Sequence, residues 1–259
     1  MKLLVGISGA LTVAFGKELT TDHLEVMVHN ITAASGAPSM RALDKNQYEK
    51  YFVGYGCWCN FDLDGALSRA GRGRPIDELD TNCKLLHNNY QCIQLDGADY
   101  PDGTEECEPW SVEYGSVQTS DASQIASECE RVAGKFGDTA ALLGIDILYG
   151  NYHGNDRQTE YNKCVEVACI VESHFLFKLA KFLLGDSETG LDQTTYNDGF
   201  AHTNADFDKE AMCITSEGVP DSERECCGDY PNRTPFKPMG GARECCADLS
   251  VKAAGTCMD

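Results

Sequence analysis

Apolar residues recur at helical spacing in residues 77–95, DELDTNCKLLHNNYQCIQL. Their separations alternate between four and three, which places them in one stripe of an α-helix. The stripe consists of Leu79, Cys83, Leu86, Tyr90 and Ile93. Pro75 lies just ahead and acidic residues open the segment, as is typical of a helix start. The pattern predicts a helix over Asp77–Leu95, with His87 at the edge of the stripe and Cys92 pointing elsewhere.

A second long helix is predicted over residues 164–184, CVEVACIVESHFLFKLAKFLL, and Gly185 follows it. Its expected buried face consists of Val165, Ala168, Cys169, Leu176, Leu179 and Leu183. Glu172 falls on the same face, where an unpaired carboxylate costs several kcal/mol. Glu172 therefore requires a partner or a proton. Two alternatives stay open: His87 on the first helix, or an arginine or tyrosine in a purely structural pair.

Changes in composition divide the chain into five segments. Residues 1–16 have a lysine, an apolar run and small residues, which is typical of a secretory signal peptide. No other run is apolar enough to cross a bilayer. The predicted segments are a signal peptide (1–16), an N-terminal lead-in helix (17–47), a helical domain (48–185) that includes a third helix over residues 121–136, an acidic linker (186–212) and a di-cysteine-rich module (213–259).

Fourteen cysteines in a secreted chain indicate an oxidising compartment and disulfide bonding. Eight of them lie between Cys57 and Cys169, and the other six lie between Cys213 and Cys257. Because both numbers are even, we expect the cysteines of each set to form disulfides only with one another. The doublets 226–227 and 245–246 are expected to bridge outward, because a bond between neighbouring cysteines is strained. No pair has the C-x-x-C spacing of the usual zinc sites.

The formal net charge of −20 excludes nucleic acid as a plausible partner, since phosphate binding needs basic patches. It also disfavours docking on anionic membranes. It favours solubility, divalent cations at the surface, or a basic or mineral-bearing matrix. Asn30 and Asn232 each begin a glycosylation sequon, which predicts a glycoprotein.

The residues that precede and open the first helix follow a recognisable order. Tyr55 to Cys59 reads YGCWC, Gly71 to Asp80 reads GRGRPIDELD, and Cys83 and His87 come next. This order resembles the secreted phospholipase A2 family over about forty residues. The resemblance implies a mainly α, disulfide-rich fold, in which an antiparallel helix pair carries a calcium-loop-like segment and a small cysteine-rich tail module is appended.

The resemblance also implies a catalytic site and a calcium site. His87 is expected to be the general base that activates water, and Glu172, matched by helix face only, is expected to orient it. Calcium would polarise the ester carbonyl. By the resemblance, its expected ligands are loop oxygens at Trp58 and Asn60 and the residue after the histidine, Asn88. Asp62 and Asp64 form a short carboxylate pair on a turn of the enlarged loop and are expected to supply replacement oxygens.

Several departures from the family pattern weaken the expected calcium site. The aspartate after the histidine is Asn88, the glycine after the second loop cysteine is Asn60, and the cysteine doublet is a single Cys83.

The tail repeats a Glu-Cys-Cys unit around a Pro/Gly-rich centre and resembles the di-cysteine repeats of galaxin-like matrix proteins.

The sequence therefore predicts a secreted, non-catalytic structural or binding component of an extracellular protein assembly or matrix. The alternative is a calcium-dependent phospholipase A2, which hydrolyses the sn-2 ester of phospholipids with His87 as general base.

Overall fold

The structure of the protein is a computed structural model. The described residues are 52, 54–59, 71–97, 107, 109, 121–130, 163–183, 196–201, 204–214 and 224–257. The predicted signal peptide, the lead-in helix, Asn30 and residues 131–136 of the third predicted helix lie outside them.

The first predicted helix is confirmed as α1, Glu78–Asp96. Asp77 is its N-cap and accepts a hydrogen bond from the backbone N–H of Asp80 at 2.8 Å. An N-cap carboxylate of this kind satisfies a backbone donor that the helix itself leaves without a partner. All five residues of the predicted apolar stripe are buried.

The second predicted helix is confirmed as α2, Lys163–Leu183, which packs against α1. Burial extends around most of α2. Five residues of the predicted face are buried, Val165, Ala168, Cys169, Leu176 and Leu179, and so are Val167, Phe175 and Phe177, whereas Lys178 is exposed. The side chain of Leu183 lies outside the described residues. The two helices are also joined by a hydrogen bond from the Asn82 side chain to the carbonyl of Phe175 at 3.2 Å. A helix that is apolar on most sides belongs to the middle of a core.

A shorter helical segment is attached to α2. It opens with a 3-10 turn at Ala122–Gln124 and is helical over residues 125–130. Asp121 caps the turn by accepting the backbone N–H of Ser123 at 2.9 Å. Ile125 is fully buried, and the Cys129–Cys169 disulfide ties the segment to α2.

The C-terminal part of the chain forms small elements that the sequence analysis did not predict. A 3-10 turn covers Asp198–Phe200 and a short helix, α3, covers Lys209–Met212. Two antiparallel hairpins follow: β1 (Glu225–Cys227) pairs with β2 (Thr234–Phe236), and β3 (Arg243–Cys245) pairs with β4 (Val251–Ala253). The described chain therefore combines helices with two small antiparallel sheets.

Seven disulfides pair all fourteen cysteines, which confirms a disulfide-rich fold. The bridges are Cys57–Cys213, Cys59–Cys83, Cys92–Cys226, Cys107–Cys164, Cys129–Cys169, Cys227–Cys245 and Cys246–Cys257. The two cysteine doublets bridge outward, as expected. The expectation that the eight earlier and six later cysteines bond separately is wrong, because two bridges cross between the sets. The reason is that the tail packs against the helical part.

The β1–β2 hairpin is docked on the C-terminal half of α1. Arg233 holds the carboxylate of Asp96 through Nε at 2.7 Å and Nη2 at 3.1 Å, and the hydroxyl of Tyr230 donates to the same carboxylate at 2.8 Å. Two turns earlier, the Asn89 side chain donates to the carbonyl of Pro231 at 2.7 Å and accepts the backbone N–H of Arg233 at 3.2 Å. Paired donors on a single carboxylate fix orientation as well as distance.

Part of the predicted acidic linker also contacts the core. Tyr196 and Ala201 are buried, and the rings of Tyr196 and Tyr55 lie 5.0 Å apart.

The boundaries of the five predicted segments stay predictions. Within the described parts of the chain, the helices lack the combination of length and apolar character that a membrane crossing requires.

Replacement of Asp96 tests how firmly the tail hairpin is held. Asp96→Ala removes the acceptor for both Arg233 and Tyr230, and we expect the free energy of unfolding to fall by about 1.5–3 kcal/mol, as is usual for hydrogen bonds to charged groups. Urea denaturation followed by circular dichroism measures the change. Asp248→Ala serves as the control, because Asp248 forms an exposed ion pair with Lys252 and its loss should matter much less. Equal effects of the two substitutions would contradict the docking role of Asp96.

Candidate functional site

A buried carboxylate organises the loop that precedes α1. The Asp80 side chain has no exposed surface and accepts three backbone N–H groups: that of Trp58 at 2.7 Å and those of Cys57 and Ile76 at 3.0 Å each. Burial raises the pKa of the Asp80 carboxyl, while the three donors favour its ionised form and act in the opposite direction. Asp80 therefore fixes the backbone of residues 57–58 against the first turn of α1.

Gly56 allows this close approach between the loop and the carboxylate. Its φ is +57°, and a Cβ atom at this position would lie 2.6 Å from the carboxyl carbon of Asp80. Both the left-handed backbone and the lack of space thus require glycine here. The backbone N–H of Gly56 donates to the carbonyl of Phe200 at 2.9 Å, so the loop is also attached to the 3-10 turn.

Three side chains on one face of α1 hold the loop. Asp80 binds its amides, Cys83 is bonded to Cys59, and Nε2 of His87 lies 2.8 Å from the carbonyl oxygen of Trp58. The three residues stand at positions i, i+3 and i+7, which share one helix face. The carbonyl of Trp58 points at the imidazole because Asp80 holds the backbone before it and the Cys59–Cys83 disulfide holds the residue after it.

The hydrogen bond to Trp58 determines the protonation of the His87 ring. A carbonyl oxygen only accepts, so Nε2 carries the proton and donates it to Trp58. The residue is 1% exposed, and the second ring nitrogen, Nδ1, is also buried. The helical spacing predicts His87 at the edge of the apolar stripe, whereas the structure encloses it.

The indole of Trp58 covers the outer side of this arrangement. Trp58 is half-buried, its Nε1–H donates to the carbonyl of Gly73 at 3.1 Å, and its ring meets the His87 ring edge-on at 5.8 Å. The ammonium group of Lys84 lies 4.9 Å from the centre of a Trp58 ring, in cation–π geometry. Burial lowers the pKa of Lys84.

Glu172 lies on the buried side of α2 and has a tyrosine partner. It is 7% exposed, and its Oε1 accepts a short hydrogen bond from the hydroxyl of Tyr90. The structure thus brings His87 to Trp58 and Glu172 to Tyr90. A tyrosine partner was one of the two alternatives that the sequence left open for Glu172.

The residues expected to bind calcium are only partly described. Trp58 offers its carbonyl to His87, and Asn88, which follows the histidine on α1, is half-buried. Asn60, Asp62 and Asp64 lie outside the described residues.

A different group of potential metal ligands occurs in the tail, formed by Glu244, Cys246 and Cys257. Its two sulfur atoms are bonded to each other, and the Glu244 carboxylate accepts the backbone N–H of Gly255 at 2.7 Å. A disulfide offers no thiolate, so the group is structural.

A small cleft lies between α1, α2 and the turn at Pro231. Its polar lining includes Asn82, His174 and Lys178. Burial, together with the neighbouring Lys178, lowers the pKa of His174. The cleft contains neither His87 nor Glu172, so it is separate from the expected catalytic pair.

Asp80 is the residue that sequence reasoning missed. It was interpreted only as an acidic residue favoured by the helix N-terminus. The available signal was its place three residues after the N-cap Asp77, since a side chain at that position can reach back to amides that precede the helix.

Comparisons with protein-family models, with curated proteins and with solved structures found no match to this chain.

Replacement of Asp80 tests whether its carboxylate anchors the loop. Asp80→Asn keeps the shape but has only one acceptor oxygen, so at least one loop amide faces an NH₂ group. We expect a loss of about 1–3 kcal/mol in the free energy of unfolding for each amide that loses its acceptor. Thermal unfolding measures the loss. Asp121→Asn, at the exposed cap of the third helical segment, should change little, and a similar loss in both variants would argue against the anchoring role.

The Tyr90–Glu172 pair is tested by removing one hydroxyl. Tyr90→Phe withdraws a donor from a buried carboxylate, so we expect a destabilisation of about 1–3 kcal/mol. Tyr230→Phe is the comparison, because it removes the same hydroxyl from the half-exposed carboxylate of Asp96 and should cost less. Urea titration of both variants gives the difference. A larger effect at Tyr230 would show that burial does not determine the cost.

Proposed function

We propose that this chain is a secreted, non-catalytic component of an extracellular assembly, built on a phospholipase A2-like, disulfide-braced helix pair. The disulfide content fits an oxidising compartment. The observation that carries the proposal is the hydrogen bond from Nε2 of His87 to the carbonyl of Trp58. In this role the imidazole holds a loop.

The same hydrogen bond argues against calcium at the position that the resemblance implies. The carbonyl oxygen of Trp58 is an expected calcium ligand. However, Nε2 of His87 lies 2.8 Å from this oxygen, and the positive end of its N–H dipole faces it. A cation on this oxygen would be repelled by the N–H group. Asn88 supplies a neutral amide where the family has a carboxylate, and charge is what strengthens calcium sites.

The burial of the imidazole argues against its use as a general base. A base must lie within hydrogen-bond reach of a water or substrate proton. Nδ1 of His87 is buried, and Nε2 is already engaged by Trp58. The Glu172 carboxylate, the expected orienting group, accepts the hydroxyl of Tyr90. Both groups of the expected catalytic pair therefore have structural roles that account for their burial.

The alternative, calcium-dependent hydrolysis of the sn-2 ester, makes opposite predictions that one set of assays separates. Fatty-acid release from zwitterionic phospholipid micelles is measured with calcium and with a chelator, and calcium binding is measured by calorimetry. We expect neither calcium-dependent release nor saturable calcium binding. We also expect His87→Gln to lower the thermal stability, because it disturbs the contact that holds Trp58.

His174→Gln is the matched control, since His174 is half-buried on α2 and lies in the separate cleft. Calcium-dependent release by the wild type that is lost in His87→Gln and kept in His174→Gln would overturn the proposal in favour of the enzyme. Assembly is measured by sedimentation velocity of the full chain over a range of concentrations. A strictly monomeric chain that binds no partner from its extracellular medium would also contradict the proposal.

A further inference from the structure

One of the fourteen half-cystines differs from the others in its exposure. Eleven are buried, and Cys226 and Cys257 are half-buried. Cys245 alone is exposed, although its partner Cys227 is 2% exposed. Thiol–disulfide exchange depends on which sulfur an attacking thiolate can reach. Access therefore singles out the Cys227–Cys245 bridge, and Cys245 as the sulfur that is attacked.

The neighbours of Cys245 along β3 favour an anionic reagent. Arg243 and Cys245 are both exposed and lie two positions apart on one strand, so their side chains share a face. Glu244 alternates to the other face, where it accepts the backbone N–H of Gly255. A positive charge beside a sulfur attracts a thiolate and stabilises it there.

The bridge also has a distinct place in the fold. β1 and β2 contact α1, whereas β3 and β4 contact mainly each other. The Cys246–Cys257 bridge closes within the terminal hairpin, so Cys227–Cys245 is the disulfide that joins this hairpin to the remainder of the chain. Opening it leaves the Cys57–Cys213 and Cys92–Cys226 bridges intact.

We propose that the Cys227–Cys245 disulfide is a thiol-exchange site, at which a small anionic thiol from outside the chain becomes attached to Cys245. The thiolate attacks Sγ of Cys245, the bond to Cys227 breaks, and the electron pair leaves with Sγ of Cys227, which takes a proton from water. One disulfide and one thiol give another disulfide and another thiol, so no oxidant is needed. The site is independent of the proposed function, because it holds whether or not the helix pair is catalytic.

The reverse reaction follows from the position of the leaving sulfur. The released Cys227 stays next to the mixed disulfide at Cys245, and it attacks that disulfide as the thiolate after losing its proton to water. Withdrawal of the external thiol then allows Cys227 to displace it and to restore the bridge. Attachment at Cys245 is therefore reversible.

The test uses the wild-type, full-length protein under native conditions. The chain is incubated with reduced glutathione as the anionic probe, quenched by acid and alkylation, and mapped by peptide mass spectrometry. We expect the first adduct at Cys245, with Cys227 recovered as the alkylated thiol and the other six bridges intact. A first adduct at any other cysteine, or equal reaction at several bridges, would overturn the proposal. Absence of an adduct when a denatured sample reacts would also overturn it.

Two pairs of variants sharpen the test. The double substitution Cys227→Ser/Cys245→Ser should abolish the early adduct, whereas Cys246→Ser/Cys257→Ser should retain it. Arg243→Gln should slow glutathione attachment by roughly two- to fivefold, the effect of one exposed charge interaction. Lys252→Gln, on the other face of the hairpin, should leave the rate nearly unchanged. An equal rate in the wild type and Arg243→Gln would overturn the preference for an anionic thiol.

Discussion

The contact between the Asp80 carboxylate and the loop at residues 57–58 is the constraint on which the described fold depends. A carboxylate without exposed surface is costly unless donors compensate for the lost water, and three amides do so here. Because two of these amides belong to consecutive loop residues, the carboxylate fixes position and direction together. Gly56 is the matching requirement on the loop side, since any side chain there would collide with Asp80. The buried Asp80 carboxylate thus fixes the loop at residues 57–58 to the first turn of α1.

The rigidity of this junction determines what His87 can do. Once residues 57–59 are attached through Asp80 and the Cys59–Cys83 bridge, the Trp58 carbonyl has a single direction, and it meets the imidazole. A histidine used for proton transfer needs a nitrogen that a substrate or water can approach. Here one nitrogen is bonded and the other is enclosed. A residue order that resembles the phospholipase A2 family is compatible with a histidine that holds a loop, because the resemblance and the observed contact involve the same residue of α1.

The sequence predicted the two long helices well because their signal is local. Alternating steps of three and four residues require no knowledge of the rest of the chain, and α1 begins and ends within one residue of the prediction. Disulfide partners are different, because they depend on which segments meet in space. Nothing in the cysteine spacing indicates that Cys92 faces Cys226, or that Cys57 faces Cys213. The role of Asp80 was hidden for the same reason, since two of its three donors come from a loop more than twenty positions away.

The distribution of the bridges indicates that the two hairpins of the C-terminal part are held with different firmness. Cys57–Cys213 and Cys92–Cys226 span 156 and 134 positions. Closing one loop of such length restricts the unfolded chain by about 5 kcal/mol in the chain-entropy account, an upper limit because other bridges shorten the effective loop. The β1–β2 hairpin has a second attachment through Asp96 and Arg233, so covalent and polar contacts reinforce each other there. The terminal hairpin is joined to β1 by a bridge of 18 positions, Cys227–Cys245. A chemical change at that bridge therefore alters how the end of the chain is held, while the junction at Asp80 and the two long-range bridges keep the helical frame in place.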